Sequence, residues 1–431
     1  MPDQTTAAPV VVVGGGMAGQ AAAADLGAAG RDVLLVDAQP DAPYDRPPLS
    51  KSVLVGAAED DAVWPRPADW WDEHGVRLAL GTRVTSVDPV GRTVLTDTGD
   101  TLSWSALVLA TGSQPRRLGV PGEELPGVVC VDELTGADAC ARALADTARP
   151  VRRVVVVGAG FVGCEAAAAL RGTGREVTVL ETVAQPLVHA VGTEVAAWFR
   201  DLHARHGVPI RTGTTVLALE PGPGGRVGAV SASAGTLPAD LVVVAVGATP
   251  RLDLAVATGC AVQSAGAGRP AAVLVDDRLR TSVPDVYAGG DIAAYPSRFA
   301  APPGRDAPVP YRCPHYNVAV GHGRTIAAAI LGGGQPYDDV PTWWTDQYGL
   351  TANVVGTPEL ADTTLLRGGG GDDLLALYVR DDVLVAGLAV GFAQRKEHAA
   401  LRRLLAGTEP VAAEDVADPG RSLADLVADR R

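Results

Sequence analysis

Four consecutive valines, Val10–Val13, run into a glycine-rich turn and an alanine-rich stretch, and the chain repeats the arrangement from Val154–Val157, 144 residues on. Each block, VVVVGGGMAGQAAAADL and VVVVGAGFVGCEAAAAL, reads as strand, tight turn and helix. A second apolar run follows each helix, VLLVD in one and VTVLE in the other. Both end in an acid, Asp37 and Glu181, that lies 23 residues beyond the first glycine of its turn. From about residue 335 the pattern changes: Trp343, Trp344 and the alternating segments LLALYVR and VLVAGLAVG predict an antiparallel sheet with a helical tail.

The turns place Gly14, Gly16 and Gly19, then Gly158, Gly160 and Gly163, in G-x-G-x-x-G spacing. In that pattern the first glycine permits the tight turn, the second lets backbone N–H groups approach a pyrophosphate at a helix N-terminus, and the third allows close helix–strand packing. The acid then accepts hydrogen bonds from a ribose diol. One such turn is weak evidence. Two, each with its strand, helix and acid, predict two bound dinucleotides, a hydride donor and a flavin that receives the hydride.

The expected fold is α/β, with two Rossmann-like dinucleotide-binding domains and a C-terminal α+β domain. Residues 1–118 form the first part of an FAD domain and 119–249 an inserted NAD domain. The segment TSVPDVYAGGDIAAYPSR, with Asp291, begins the return to the FAD domain over 250–332; 333–431 form the last domain. Helices are expected near 131–148 and 315–331. PGPGG at 221–225 reads as a hairpin loop, and AAPPGRDAPVP at 300–310 as either a passive insertion or a lid.

A chain of 431 residues exceeds one core, and 47% hydrophobic with 20% charged residues fits a compact protein. The net charge of −14 argues against nucleic acid as partner. No apolar run reaches membrane-spanning length, and MPDQTTAAP lacks the charged start of a signal peptide, so a cytoplasmic protein without membrane insertion is expected, as monomer or homodimer. The five cysteines, Cys130, Cys140, Cys164, Cys260 and Cys313, include no C-x-x-C. Neither a metal site nor a redox dithiol is signalled, and at least four are expected to be buried, inert thiols.

Of 36 basic residues only Lys51 and Lys396 are lysine. A compact ammonium makes a close point-charge contact where a planar guanidinium does not fit. Lys51, after PYDRPPLS, is therefore a candidate for the N5 edge of the flavin, against the alternative of a solvated lysine after a proline turn. Glu165, two residues past the last glycine of the second motif, is read as lying in the first turn of its helix, where the dipole favours an acid. It is either a surface acid or a nicotinamide-placing residue paired with Lys51. Hydride transfer needs reacting atoms about 3–3.5 Å apart more than it needs an acid or base. Glu181 favours NADH, because an acid there repels a 2′-phosphate and TVAQPLVH supplies no arginine to hold one. Asp37 does the equivalent for the adenosine of FAD.

PYDRPPLSK (43–51), LVLATGSQPR (107–116), the second glycine motif ending in Glu165, VGATPRLDL (246–254), VYAGGDIAAYPSR (286–298) and WWTDQYGL (343–350) together resemble the FAD-containing, NADH-dependent ferredoxin reductases of oxygenase systems, of the putidaredoxin reductase and rubredoxin reductase type. Apoptosis-inducing factor is a more distant relative. The resemblance covers nearly the whole chain. It implies that Arg46 and Lys51 contact the flavin, that Val84 and the Ala110-Thr111-Gly112 turn lie on its adenine side, and that Asp291 binds its ribityl chain. It also implies that Trp344, followed by Asp346 and Gln347, borders the isoalloxazine on the ferredoxin-facing side, and that Gly247 is a cofactor-binding position. By residue type alone a Trp-Trp pair is more often core than cofactor wall.

One stretch departs. Where relatives carry R-x-E-x-W-x-x-A-x-x-Q-G, this chain reads RCPHYNVAVGHG (312–323), placing Pro314, Tyr316 and His322 at the Glu, Trp and Gln positions. Tyr316 stays a candidate cofactor-site residue, as a pocket wall or proton donor. His315 and His322, seven apart on one helical face, are too few for a metal. The expected activity is transfer of electrons from NADH through FAD to a [2Fe–2S] ferredoxin serving a P450 or Rieske oxygenase; the chain has no cluster ligands of its own. Arg116, Arg117, Arg298, Arg305 and Arg312 form either a basic rim for that partner or scattered surface charge. Two alternatives are a flavoprotein acting directly on a small molecule, quinone or oxygen, and an NADH-sensing redox scaffold.

Overall fold

The computed structural model describes residues 8–131, 133–266, 270–304, 307–367, 371–391 and 395–430. The chain forms two compact units, one of 1–45, 64–114 and 249–342, the other of 46–63, 115–248 and 343–431. The PYDRPPLSK motif is divided between them after Asp45.

In the first unit five parallel strands lie in the order Val286–Ala288, Ala106–Leu109, Val10–Val13, Val33–Val36, Val76–Ala79. The central valines are buried on both faces, which explains why the run has no polar interruption; each buried valine stabilises the fold by roughly 2 kcal/mol. The edge strand Val286–Ala288 comes from the far end of the sequence, so the first unit closes only after the chain returns from the second. A three-stranded antiparallel sheet, Val84–Asp88, Thr93–Thr96 and Thr101–Ser103, accompanies it.

The second unit repeats the plan. Its parallel order is Val128–Cys130, Leu241–Val244, Arg153–Val157, Glu176–Leu180, Ile210–Arg211, with an antiparallel trio Val216–Pro221, Val227–Ala232 and Gly235–Pro238. The first hairpin of that trio turns through the glycine-rich segment at 221–225. The helices expected near 131–148 and 315–331 span Leu134–Ala145 and Tyr316–Ile330.

The same unit carries a five-stranded sheet ordered Thr342–Gln347, Leu350–Gly356, Val383–Val390, Leu374–Arg380, Thr363–Arg367. Alternation along LLALYVR predicts one solvated face, yet Leu374–Val379 are all buried. Both faces are covered. The Tyr378 hydroxyl donates to the Val191 carbonyl at 2.8 Å, from the side of the helix Val188–Arg205. Close against the sheet at Gly387, where a Cβ would lie 2.5 Å from a Leu401 methyl, packs the helix Arg395–Ala406.

Candidate functional site

The two glycine turns have one geometry. A Cβ on Gly14 (φ +109°) would lie 2.3 Å from the Ala110 carbonyl oxygen, and one on Gly158 (φ +101°) 2.3 Å from that of Ala245. On Gly19 or Gly163 it would lie 1.9 or 2.0 Å from the carbonyl oxygen of Gly14 or Gly158. Around Gly16 and Gly160, which cap the helices Met17–Ala28 and Phe161–Gly172, a Cβ would meet nothing within 4 Å. Neither helix has an acid in its first turn to oppose an anion. Both turns therefore fit a diphosphate.

The strand-end acids turn back onto these loops. Asp37 Oδ2 accepts from Gly15 N at 2.5 Å and Oδ1 from Gln39 N at 2.9 Å. Glu181 Oε2 accepts from Ala159 N at 2.6 Å, and Oε1 from Val183 N and the Thr182 hydroxyl at 3.1 Å each.

Within the first unit, Asp291 Oδ2 accepts from the Ser113 hydroxyl at 2.8 Å, and Arg312 Nε donates to the Asp291 carbonyl. Gly112 (φ +65°) accepts at its carbonyl from Arg251 N at 2.9 Å, and the Thr111 hydroxyl donates to the Arg251 carbonyl at 2.7 Å. Ala110 is buried, and Val84 packs on the core beneath the parallel sheet.

The departing stretch also lies here. Tyr316 donates to Asp45 Oδ2 at 3.0 Å, while Asp45 Oδ1 is buried with no hydrogen-bond partner. Burial raises the Asp45 carboxyl above its usual range, and burial, with Asp45 beside it, pushes the Tyr316 phenol up to about 12. His322 Nδ1 accepts from Gly290 N at 3.2 Å, which requires that nitrogen to be unprotonated. Burial holds His322 down at about 3 and His315 at about 4. His315 caps the helix that contains His322, so the two do not share a helical face. Among the described residues no three His, Cys, Asp or Glu side chains group as a metal site, and no helix is long and apolar enough to cross a membrane.

Within the second unit, Lys51 and Glu165 meet. Glu165 is the fifth residue of its helix, beyond the first turn where the spacing placed it, because the helix begins at Phe161. Its residue is only 6% exposed. A buried carboxylate is costly unless donors surround it, and four do. Oε2 accepts from Lys51 Nζ at 2.8 Å and the Ser50 hydroxyl at 2.5 Å; Oε1 accepts from the Thr345 hydroxyl at 2.8 Å and Asp346 N at 3.2 Å. Lys51 Nζ also donates to the Pro47 carbonyl at 3.1 Å and lies 3.9 Å from Asp346 Oδ2. That carboxylate accepts from Trp344 Nε1 at 3.1 Å.

The strand Thr342–Gln347 separates the tryptophans by alternation. Trp343 turns inward, edge-on to Phe161 with ring centroids 4.7 Å apart, and Trp344 turns to the opposite, half-buried face. Arg46 precedes the short 3-10 turn Pro47–Ser50, and Gly247 (φ +93°) accepts from Arg116 N at 2.9 Å. Sequence reasoning missed Ser50, Thr345 and Asp45. The inward alternation of Thr345 and Gln347 with Trp343 is the signal that could have exposed the second of these.

Two of the rim arginines are paired with acids of the same chain, and a third is held by a backbone carbonyl. Arg117 pairs with Glu124, Arg298 with Asp338 at 3.0 Å, and Arg312 binds the Asp291 carbonyl. Arg305 lies outside the described residues. All five cysteines are free, four of them buried. Burial raises Cys140 to about 12 and pushes Cys164 and Cys260 up as well, so these three are thiols at neutral pH.

Two phosphate-ready turns on duplicated parallel sheets, with no dithiol beside either, define a two-dinucleotide oxidoreductase. The chain belongs to the pyridine nucleotide-disulphide oxidoreductase family, whose model matches residues 8–323, and residues 342–427 match the reductase C-terminal domain. It is 32% identical to rhodocoxin reductase of Rhodococcus erythropolis over 95% of this chain and 92% of that one. It is 34% identical to the ferredoxin reductase subunit of the 5,5'-dehydrodivanillate O-demethylase of a Sphingobium strain, over 97% and 98% of the two chains. Its structure is similar to that of the covalent putidaredoxin reductase-putidaredoxin complex, with a TM-score of 0.89, 30% identity and 98% of each chain covered.

Proposed function

We propose that this chain is an NADH:ferredoxin reductase that supplies a [2Fe–2S] ferredoxin of a P450 or Rieske oxygenase system. The observation that carries the reading is two dinucleotide turns accompanied by five free cysteines. With no dithiol relay among the five free cysteines, the electrons pass from the flavin directly to the acceptor, which the relatives named ferredoxin reductases identify as a ferredoxin in their own case. When bound, FAD accepts a hydride from NADH and releases the electrons singly.

In this reading Gly14, Gly16, Gly19 and Asp37 hold the FAD diphosphate and ribose, Val84 and Ala110-Thr111-Gly112 flank its adenine side, and Asp291 binds its ribityl chain. Tyr316, Arg46 and Trp344 contact its ring system. Gly158, Gly160 and Gly163 hold the NADH diphosphate, Glu181 selects the free ribose diol, and Gly247 borders the same cofactor. Lys51 and Glu165 place the reacting end of the nicotinamide, with the Lys51 ammonium offering positive charge to the reduced flavin. The domain limits follow the same assignment: FAD over 1–118 and 250–332, NAD over 119–249. A cytoplasmic location completes the proposal.

The test is steady-state turnover with NADH against a panel of acceptors. Ferredoxin reduction that exceeds oxygen and quinone reduction by orders of magnitude supports the proposal. Fast quinone or oxygen turnover that ignores ferredoxin would overturn it.

A further inference from the structure

Beyond Thr345 the polar chain continues. Gln347 Nε2 donates to the Thr345 hydroxyl oxygen at 3.2 Å, Gln347 Oε1 lies 2.9 Å from His203 Nε2, and His203 Nδ1 lies 2.8 Å from the Tyr348 hydroxyl. Thr345, Gln347 and His203 are all buried. The direction of every proton in this run follows from one charge. A carboxylate has no donor, so the Thr345 hydroxyl must spend its only proton on Glu165 and can then only accept from Gln347. The amide therefore turns its NH₂ to Thr345 and its oxygen to His203. That oxygen demands a proton on His203 Nε2, which leaves Nδ1 to accept from Tyr348.

Chemistry at the far end agrees. Burial holds His203 at about 4, so its ring is neutral and has one N–H to give, and burial keeps the Tyr348 phenol protonated. The backbone gives independent support. Tyr348 (φ +54°) and Gly349 (φ +77°) form a two-residue turn between the strands Thr342–Gln347 and Leu350–Gly356. A β-hairpin of this kind favours Asn or Gly at its first position, and an aromatic residue there is strained. Tyr348 is held by its bond to His203 and by stacking on His206, ring centroids 3.9 Å apart and 11° from parallel.

We propose that Thr345, Gln347 and His203 are positioning residues for hydride transfer: a one-way series of donated hydrogen bonds, anchored at the Tyr348 turn, aims the Glu165 carboxylate at Lys51. The inference rests on Glu165 and Lys51 serving the nicotinamide. The charged and titratable groups around the carboxylate are Lys51 and Asp346 from the other segments and Cys164, a raised thiol, on its own helix. Oε1 takes its donors from the Thr345 hydroxyl and Asp346 N, so loss of the hydroxyl leaves the weaker, 3.2 Å backbone contact to hold that oxygen.

Stopped-flow reduction of the flavin by NADH in the holoenzyme tests it. Thr345→Val and Gln347→Leu should each lower the limiting rate roughly ten-fold, the loss expected for one charge-assisted hydrogen bond, and leave NADH affinity within about two-fold. Thr345→Ser should restore the rate. In ¹⁵N-histidine spectra, assigned with His203→Phe, the wild-type His203 ring should carry its proton on Nε2. A rate loss that Thr345→Ser fails to restore, unaltered rates in Thr345→Val and Gln347→Leu, or a proton on Nδ1 would overturn the inference. Glu165→Gln separates the two levels: if it too leaves reduction unaltered, the role given to Glu165 fails. If it slows reduction while the Thr345 and Gln347 variants do not, only the relay falls.

Discussion

The two glycine turns share a backbone but differ one residue beyond the last glycine. In the first unit that residue is Gln20, whose amide donates to the Gly15 carbonyl at 3.0 Å and to the Tyr44 carbonyl at 2.9 Å. In the second it is Cys164, whose thiol donates to the corresponding Ala159 carbonyl at 3.5 Å. The next position is Ala21 in one and Glu165 in the other. The first turn is thus clipped to a distant loop by a side-chain amide and chemically bland; the second is clipped through the backbone, Leu187 N donating to the Ala159 carbonyl at 2.9 Å, and carries a charge with a counter-ion. A duplicated scaffold has been specialised, in our reading, into one site that retains its cofactor and one that exchanges it.

The sharpest way to break this comparison is to fill each turn. Gly19→Ala puts a methyl 1.9 Å from the Gly14 carbonyl and should yield protein that purifies without visible flavin absorbance. Gly163→Ala meets the same obstruction at 2.0 Å, yet should stay yellow and lose NADH affinity roughly a hundred-fold. Equal flavin loss in both would refute the division of labour.

A second, smaller effect tests the charged pair. Lys51→Ala removes the ammonium from a buried carboxylate, and we expect the limiting rate of flavin reduction to fall about a hundred-fold with NADH affinity little altered. An unchanged rate would remove Lys51 from the site. Smaller again, Glu181→Arg should weaken NADH binding about ten-fold and improve use of NADPH; unchanged preference in steady-state assays would end the ribose assignment.

The smallest expected effect sharpens the comparison by length. A Cβ at Gly15 would sit 2.5 Å from Asp37 Oδ2, whereas the second turn has Ala159 opposite the longer Glu181. Gly15→Ala should therefore destabilise the holoprotein, and Gly15→Ala with Asp37→Glu should recover part of the loss, with a coupling of about 1 kcal/mol in thermal unfolding. Additive effects would mean that the glycine is there for another reason.

The duplicated sheets were legible because their demands are local: a glycine whose Cβ would strike a carbonyl, and valines covered on both faces, leave marks in a short window of sequence. The Lys51–Glu165 pair was legible as a possibility, since an isolated lysine in an arginine-rich chain attracts notice. Its burial was not, because two of its donors, Thr345 and Asp346, come from a strand 180 residues further along. The closed face of Leu374–Arg380 was hidden for a similar reason: alternation reports one buried face, and the second is supplied by a helix far away in sequence. Ion pairs such as Arg298 with Asp338 likewise depend on tertiary neighbours that charge counting does not see.

Lysine is confined to two positions, one exposed at Lys396 and one gripped at Lys51. An amine-reactive acylating reagent therefore meets two very different side chains. Lys396 should be labelled at once, and Lys51 only in the moments when it lets go of its carboxylate, so the ratio of the two labels would make the molecule report how often its buried ion pair springs open.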